Sequence, residues 1–337
     1  MAEDRGRQVV VEVKPDLTHE VTYCQQNYVT GLSTTSATTT LAVVLESVID
    51  PGELVLIDDG EARTVSAVNE DFRSSAGLRD CEHFVFDRDG IEFDVWVYLP
   101  AGDGPVPVLF NIHGGPATQY GWSFFDEFQV ELGAGYAVVA TNPRSASGHG
   151  EDFVRGALKD WGSDTPIDAV DLLTALDQAL TRFDRLDRDR VGVMGGSYGG
   201  LIIAKILSFD HRFKSAIPER GLYNWVSFAG VSDIGLWFGD IYVGDRDYSD
   251  WSELWNVSSI RTAHKIRTPC LVIHSESDFR CPIDQGEQLF STLLANGVTA
   301  EFLRFPGESH ELSRSGSPRH RVERFEAVIE WHGRFLG

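Results

Sequence analysis

Ser197 stands in "RVGVMGGSYGGLIIAKILSF", between two apolar runs and among glycines. Gly195, Gly196, Ser197, Tyr198 and Gly199 spell G-x-S-x-G. A serine hydroxyl is a weak nucleophile until a base takes its proton and a third group orients that base. "RVGVMG" predicts a strand and "LIIAKILSF" a helix, so Ser197 falls on a tight, strained strand-to-helix turn. There its hydroxyl projects above the sheet edge. Residues two before and two after would crowd each other, which calls for glycine. The helix start leaves backbone N–H groups free and partly positive, so the Tyr198 N–H is placed to bind a developing oxyanion.

A base should follow the serine in the chain, after an Asp or Glu. His211, His264, His274, His310, His320 and His332 follow it. His310 stands in the polar loop "FPGESHELSRSGSP", directly after the strand "AEFLRF", and is the candidate base. His274 lies inside a strand and reads as a packed core histidine. His320 and His332 fall on the closing helix and are assigned to the surface. For the acid, "CLVIHSESDFRCP" ends a strand in Glu276 and Asp278. Asp278 begins the loop and is the better placed; Glu276 and Asp284 are its rivals. A second oxyanion donor should come from the loop after "PVLFNI", which reads His113-Gly114-Gly115-Pro116. The Gly115 N–H is the candidate.

These groups need a scaffold. From about residue 81 two strands, "EHFVFD" and "EFDVWVYLP", meet at a turn. Apolar strands then alternate with amphipathic helices: 107–112, 136–141, 190–195, 215–218, 270–275 and 300–305 are the strands. Runs this apolar suit parallel strands buried on both faces. In "DTPIDAVDLLTALDQAL" Asp164 is the expected cap, and Ile167, Val170, Leu173 and Leu176 or Leu180 form the apolar stripe. Strand–helix alternation predicts an α/β domain with a doubly wound, mostly parallel sheet over 81–337. Ligands there sit at the carboxyl ends of the strands. Residues 1–80 read differently. "QVVVEV", "HEVTYC", "TLAVVLES", "ELVLID" and "EARTV" predict a meandering antiparallel sheet, with "TGLSTTSATTT" as a polar connector.

Composition narrows the partners. The 337 residues hold 51 acidic against 29 basic side chains, a net charge of −22. Such a surface repels nucleic acid and anionic membrane, so neither is expected as a partner. "MAEDRGRQ" lacks a signal peptide's apolar core, and "LIIAKILSF" falls far short of the roughly 18 residues that span a bilayer. A cytoplasmic location is expected. Cys24, Cys81, Cys270 and Cys281 form no C-x-x-C pair and no metal-ligand spacing, and read as free thiols. Cys270 and Cys281 are the pair a returning loop could join. With no metal cluster or phosphate-cradling loop in the sequence, no cofactor is expected.

"HGGP", "NPRSASGHG", "GGSYGG", "NWVSFAGVSDIG", "SESDFRCPIDQGEQLF" and "FPGESHELSRSGSPRHRVERFEAVIEWH" together resemble the prolyl oligopeptidase family of serine peptidases. Its acylaminoacyl-peptidase-like branch is the nearest. The resemblance covers roughly residues 81–337 and implies an α/β-hydrolase fold. It implies Ser197 as nucleophile, Asp278 as orienting acid, His310 as base, and the Gly115 and Tyr198 N–H groups as the oxyanion hole. Arg280, two after the acid, matches an arginine near the substrate pocket of that branch. Ser145 stands where the family commonly has glycine, and His149 where it has tyrosine. Family members carry a complete β-propeller. Residues 1–80 resemble only its last blade or so, as in a shortened relative or a piece of a longer protein. An incomplete propeller leaves sheet edges exposed. That predicts homo-oligomers through the N-terminal sheet, or its repacking onto the hydrolase domain, and an open active site.

Residues 221–256 include Trp225, Trp237, Trp251 and Trp255. The segment is expected to build an apolar acyl or P1 pocket, with Trp225 and Phe228 lining it and most other rings packing a cap. The implied reaction is acyl transfer through Ser197 on short peptides or amides, in particular those with a blocked N-terminus. The alternative is a carboxylesterase on small acyl esters. A non-catalytic scaffold should lack a member of the Ser–Asp–His set, and none is missing.

Overall fold

A computed structural model describes residues 1–35, 39–244 and 249–337. Part of the polar connector and part of the aromatic segment lie outside these residues.

Alternating apolar residues build a first sheet from seven strands: β1 (Ala2–Asp4), β2 (Arg7–Val13), β3 (His19–Tyr23), β4 (Tyr28–Ser33), β5 (Leu41–Ser47), β6 (Asp50–Asp58) and β7 (Glu61–Thr64). Their order is β1-β2-β4-β5-β6-β7, with β3 on β2, and all pairs but β2–β4 are antiparallel. Val10, Tyr23, Val29, Val43, Val55 and Ile57 pack its small core. β1, β4 and a short helix, Glu70–Ser75, were not expected from the sequence. "YVTGLS" has turn-like composition, yet its backbone pairs with β5 over five residue positions.

The tip between β1 and β2 reaches the rest of the protein. Arg5 and Gly6 both take positive φ. Gly6 accepts from the Trp122 N–H at 2.8 Å and donates to Gln119 Oε1 at 2.8 Å. A Cβ on Gly121 would lie 1.8 Å from the Gly6 oxygen, so the two backbones touch. Arg5 Nε donates to Asp94 Oδ2 at 2.9 Å, and His83 and His149 hold the same carboxylate. Val48, at the β5–β6 turn, joins Trp96, Tyr98 and Trp122 in one apolar cluster.

The second sheet holds β8 (Cys81–Arg88), β9 (Ile91–Tyr98), β10 (Val106–Ile112), β11 (Ala137–Thr141), β12 (Leu186–Gly196), β13 (Ser215–Glu219), β14 (Cys270–Ser275) and β15 (Ala300–Phe305). Their order is β15-β14-β13-β12-β10-β11-β9-β8. β10 to β15 run parallel, and β8 and β9 are antiparallel additions at one edge. This is the α/β-hydrolase fold, preceded by antiparallel strands consistent with a propeller remnant. The chain leaves β10 toward β11 and returns past it to β12. That reversal opens the crevice where doubly wound sheets bind ligands.

Helices cover both faces. The helix Ile167–Arg182 buries Ala169, Leu172, Leu176 and Ala179, while Ile167 and Val170 are only half-buried. Leu173, Leu176 and Leu180 of the expected stripe are buried, and the inner face also carries Asp168 and Asp171. Each carboxylate turns inward because it has partners there. Trp161 and Tyr198 donate to Asp168, and Arg144 and Arg88 to Asp171. Asp164 pairs with Arg261 and makes no cap bond. His332 is no surface residue: it is fully buried, bonded to Ser215 Oγ at 3.0 Å, and burial pushes it down to about 3. All four cysteines are free thiols. Among the described residues no helix is long and apolar enough to cross a membrane.

Candidate active site

β12 ends in Gly195-Gly196, and the chain turns at Ser197 into the helix Tyr198–Ile206. Ser197 has φ 63° and ψ −119°, a left-handed conformation that costs a side-chain-bearing residue about 1–3 kcal/mol. Its N–H donates to the Glu219 oxygen at 3.0 Å, and its own carbonyl accepts from Leu201 N–H at 3.0 Å. The glycines make room for neighbours rather than for each other. A Cβ on Gly195 or on Gly199 would lie 2.3 Å from the Ile112 carbonyl of β10. One on Gly196 would meet the Arg220 guanidinium at 2.7 Å, and one on Gly200 the Glu219 carbonyl at 2.7 Å.

The loop after β10 passes over this turn. A Cβ on Gly114 would sit 3.5 Å from the Ser197 Cβ. Gly115 has φ 122°, where only glycine is unstrained. Gly114's carbonyl accepts from His113 Nδ1 at 2.6 Å and Thr118 Oγ1 at 2.8 Å, which fixes the loop. Burial holds His113 down at about 4, so the ring is neutral. The Tyr198 side chain is buried. Its hydroxyl donates to Asp168 Oδ2 at 2.6 Å, an oxygen that also accepts from Trp161 Nε1 at 2.8 Å. Burial raises Asp168 to about 6 despite these bonds. Ser145 takes φ 92° and keeps its hydroxyl 3.5 Å from the Tyr198 oxygen, so serine fills a glycine-type backbone position there. His149 faces Asp94 instead, stacked on Phe153.

Asp278 follows β14 and is buried. Its Oδ1 accepts from the N–H groups of Arg280 at 2.9 Å and Cys281 at 2.8 Å, and its Oδ2 accepts from His310 Nδ1–H at 2.7 Å. His310 lies on the loop after β15. With Nδ1 committed, Nε2 is the ring nitrogen left for chemistry. The rivals stand elsewhere: Glu276 is exposed and paired with Arg304, and Asp284 accepts from Ser227. His274 is a core residue, donating from Nε2 to the Cys281 carbonyl at 2.7 Å, and burial lowers it.

One cavity of about 250 Å³ gathers Gly115, Ser197, Tyr198, Phe228, Arg280 and His310. Trp225 stands behind its wall, fully buried, stacked on Phe238 with centroids 5.7 Å apart. The apolar lining is Leu222, Phe228, Ile234, Trp237 and Phe238, together with Trp161 and Cys281. Trp161, Arg220, Cys281 and Arg314 also line it and had not been expected. Arg280 pairs with Asp233 at 2.8 Å at the rim. A wider groove of about 640 Å³ beside β1 holds no nucleophile–base pair. Among the described residues no group of three or more His, Cys, Asp and Glu side chains could hold a metal ion.

Beneath the crevice lies a buried charge cluster. Arg324, on the closing helix Pro318–Leu336, donates to both Glu219 oxygens at 2.6–3.1 Å and pairs with Glu127. Burial alone would raise Glu219, but Arg324 and Arg220 hold it at about 2. Because that lies below its ordinary value of 4.5, Glu219 stabilises the fold above about pH 4.5 and the contribution drains away toward pH 2. Arg324→Met leaves the buried Glu127 without its cation and Glu219 with Arg220 alone. It is expected to lose about 3–5 kcal/mol at neutral pH, read as a lower urea midpoint. A midpoint equal to that of the unaltered chain would contradict the cluster's role.

A model of the prolyl oligopeptidase family matches residues 122–337. The uncharacterized peptidase YuxL of Bacillus subtilis is 39% identical over 291 residues, covering 85% of this chain and 44% of its own length. The acylaminoacyl peptidase of Pyrococcus horikoshii superposes with a TM-score of 0.91 at 30% identity, over 99% of this chain and 53% of that one. An acylaminoacyl peptidase in complex with Z-Gly-Gly-Phe-chloromethyl ketone does so with a TM-score of 0.92, also at 30% identity, over 99% and 53%. The chain thus spans about half the length of the relatives it matches.

Proposed function

The chain belongs to the prolyl oligopeptidase family, and on that premise we propose that it is a serine hydrolase cleaving peptide and amide bonds through an acyl-enzyme on Ser197. The Asp278–His310 hydrogen bond, beside a cavity that Ser197 shares, carries this reading. His310 Nε2 takes the Ser197 proton as Oγ attacks the scissile carbonyl carbon. Asp278 holds the ring's tautomer and stabilises the imidazolium. The Gly115 and Tyr198 N–H groups receive the oxyanion. His310 then protonates the leaving amine, and a water repeats the sequence in reverse to free the acid and restore Ser197. In this division residues 1–80 are the partial propeller and 81–337 the catalytic domain. Four free thiols support a reducing, cytoplasmic setting.

The wall of Phe228, Ile234, Trp237 and Phe238 suits an aromatic or large aliphatic side chain on the acyl side of the bond. The chloromethyl ketone bound by a relative likewise ends in phenylalanine. This supports acylaminoacyl-peptidase or oligopeptidase-like substrates. The cavity wall supports a second reading: Trp237 is 53% exposed, so small acyl esters would meet no barrier. Turnover of N-acetyl-phenylalanine p-nitroanilide against p-nitrophenyl esters separates the two. Anilide cleavage, faster than for the alanine analogue, is expected. Ester cleavage without any anilide turnover would replace the peptidase reading by the esterase one.

A further inference from the structure

We infer that Arg220 is a positioning residue that holds the Ser197 turn and the His310 loop in register. The inference rests on the assignment of Ser197 and His310 as nucleophile and base. These residues leave the sheet from different strands, β12 and β15, with β13 and β14 between them. Asp278 ties the β14 loop to the β15 loop. Arg220 ties the β12 turn to the β15 loop.

The contacts are specific. Arg220 follows β13 with φ 38°, and its N–H donates to the Ile273 carbonyl of β14 at 2.8 Å. Its guanidinium lies flat against Gly196, the residue before Ser197: a Cβ there would be 2.7 Å from Cζ, 2.8 Å from Nη2 and 3.0 Å from Nε. From the other side Nη1 donates to Ser313 Oγ at 3.0 Å. Ser313 sits three residues after His310, in the short helix Leu312–Ser315. Nη1 also pairs with Glu219 Oε1 at 3.2 Å, and Arg324 fixes that carboxylate from below. Arg220 is only 9% exposed, and its Nε is buried with no partner.

The two other arginines of the cavity differ. Arg280 is held by Asp233 and Arg314 by Glu311, both toward solvent. Arg220 alone of the three packs on the nucleophile turn. A planar fork can span Gly196, Glu219 and Ser313 at once; a lysine ammonium cannot. Reacting groups misplaced by about 1 Å lose roughly a hundredfold in rate.

A double-mutant cycle tests this. Arg220→Ala is expected to lower kcat roughly 100-fold with KM within about twofold. Ser313→Ala, which removes one bond on a half-buried helix, should lower kcat by about tenfold. The double variant should be no slower than Arg220→Ala alone, because both act through one link. Arg220→Lys, keeping charge without the fork, should recover little. A raised KM at unchanged kcat in Arg220→Ala would overturn the inference by making Arg220 a substrate contact. Wild-type kcat in Ser313→Ala, or losses that multiply in the double variant, would overturn it too. Should Arg220→Ala fail to fold, Ser313→Ala and Arg220→Lys still decide. An unaltered chain that reacts at Ser197 while these variants match it defeats the inference alone; an unaltered chain without turnover or Ser197 labelling defeats it together with the assignment of nucleophile and base.

Discussion

Ser197→Ala is expected to lower kcat on the best anilide substrate by about 10⁶-fold, with the folded state intact. Without Oγ no acyl-enzyme forms, and His310 and Asp278 have no proton to move. What remains is the backbone oxyanion site and substrate binding, which in such hydrolases still exceed water by about 10³–10⁴-fold. KM should change little, since the wall of the cavity is untouched. Alanine keeps a Cβ at the same positive φ, so the strain at 197 stays. Stability should therefore stay within about 0.5 kcal/mol, checked by urea denaturation. A variant that keeps a tenth of the activity would mean the nucleophile lies elsewhere.

Asp278→Asn is expected to cost about 10⁴-fold in kcat. The reason is in the bonds. Oδ1 accepts from two backbone N–H groups, of Arg280 and Cys281, and Oδ2 accepts from His310 Nδ1–H. Asparagine has one oxygen, and the two N–H groups claim it. Its amide nitrogen then faces His310 Nδ1 and donates to it. That drives the ring proton to Nε2, which can no longer accept from Ser197. The fold should survive, because the asparagine still satisfies the loop. Steady-state kinetics across pH 6–9 checks this, and a loss under tenfold would contradict the orienting role.

The placement of the candidate residues was legible because it is written locally. Ser197 follows an apolar strand at a glycine-rich turn into a helix, Asp278 and His310 lie in polar loops after theirs, and β12, β14 and β15 stand where those runs predicted. The surroundings were not legible, because they depend on contacts distant in sequence. Arg220 sits in an ordinary "PERG", and nothing there signals that Gly196 and Ser313 converge on it. Trp161 reaches the cavity from a Gly- and Asp-rich stretch through its bond to Asp168. In Ile167–Arg182 the buried Leu173, Leu176 and Leu180 were legible and the inward Asp168 and Asp171 were not, because a carboxylate reads as solvent-facing until its buried partners are known. His332 was assigned to water on the strength of its polar helix, yet Gly192 opens a slot for its ring, with Ser215 at the end. Trp225 was expected at the cavity surface and instead stacks behind it, where Phe238 intervenes.

The most direct test is fluorophosphonate labelling of the full 337-residue chain, with the modified residue located by peptide mass spectrometry. The expected result is one adduct, on Ser197, that forms at least 100-fold more slowly in His310→Ala. No adduct on folded protein, or an adduct on a different serine, would contradict the assignment of Ser197 as the nucleophile.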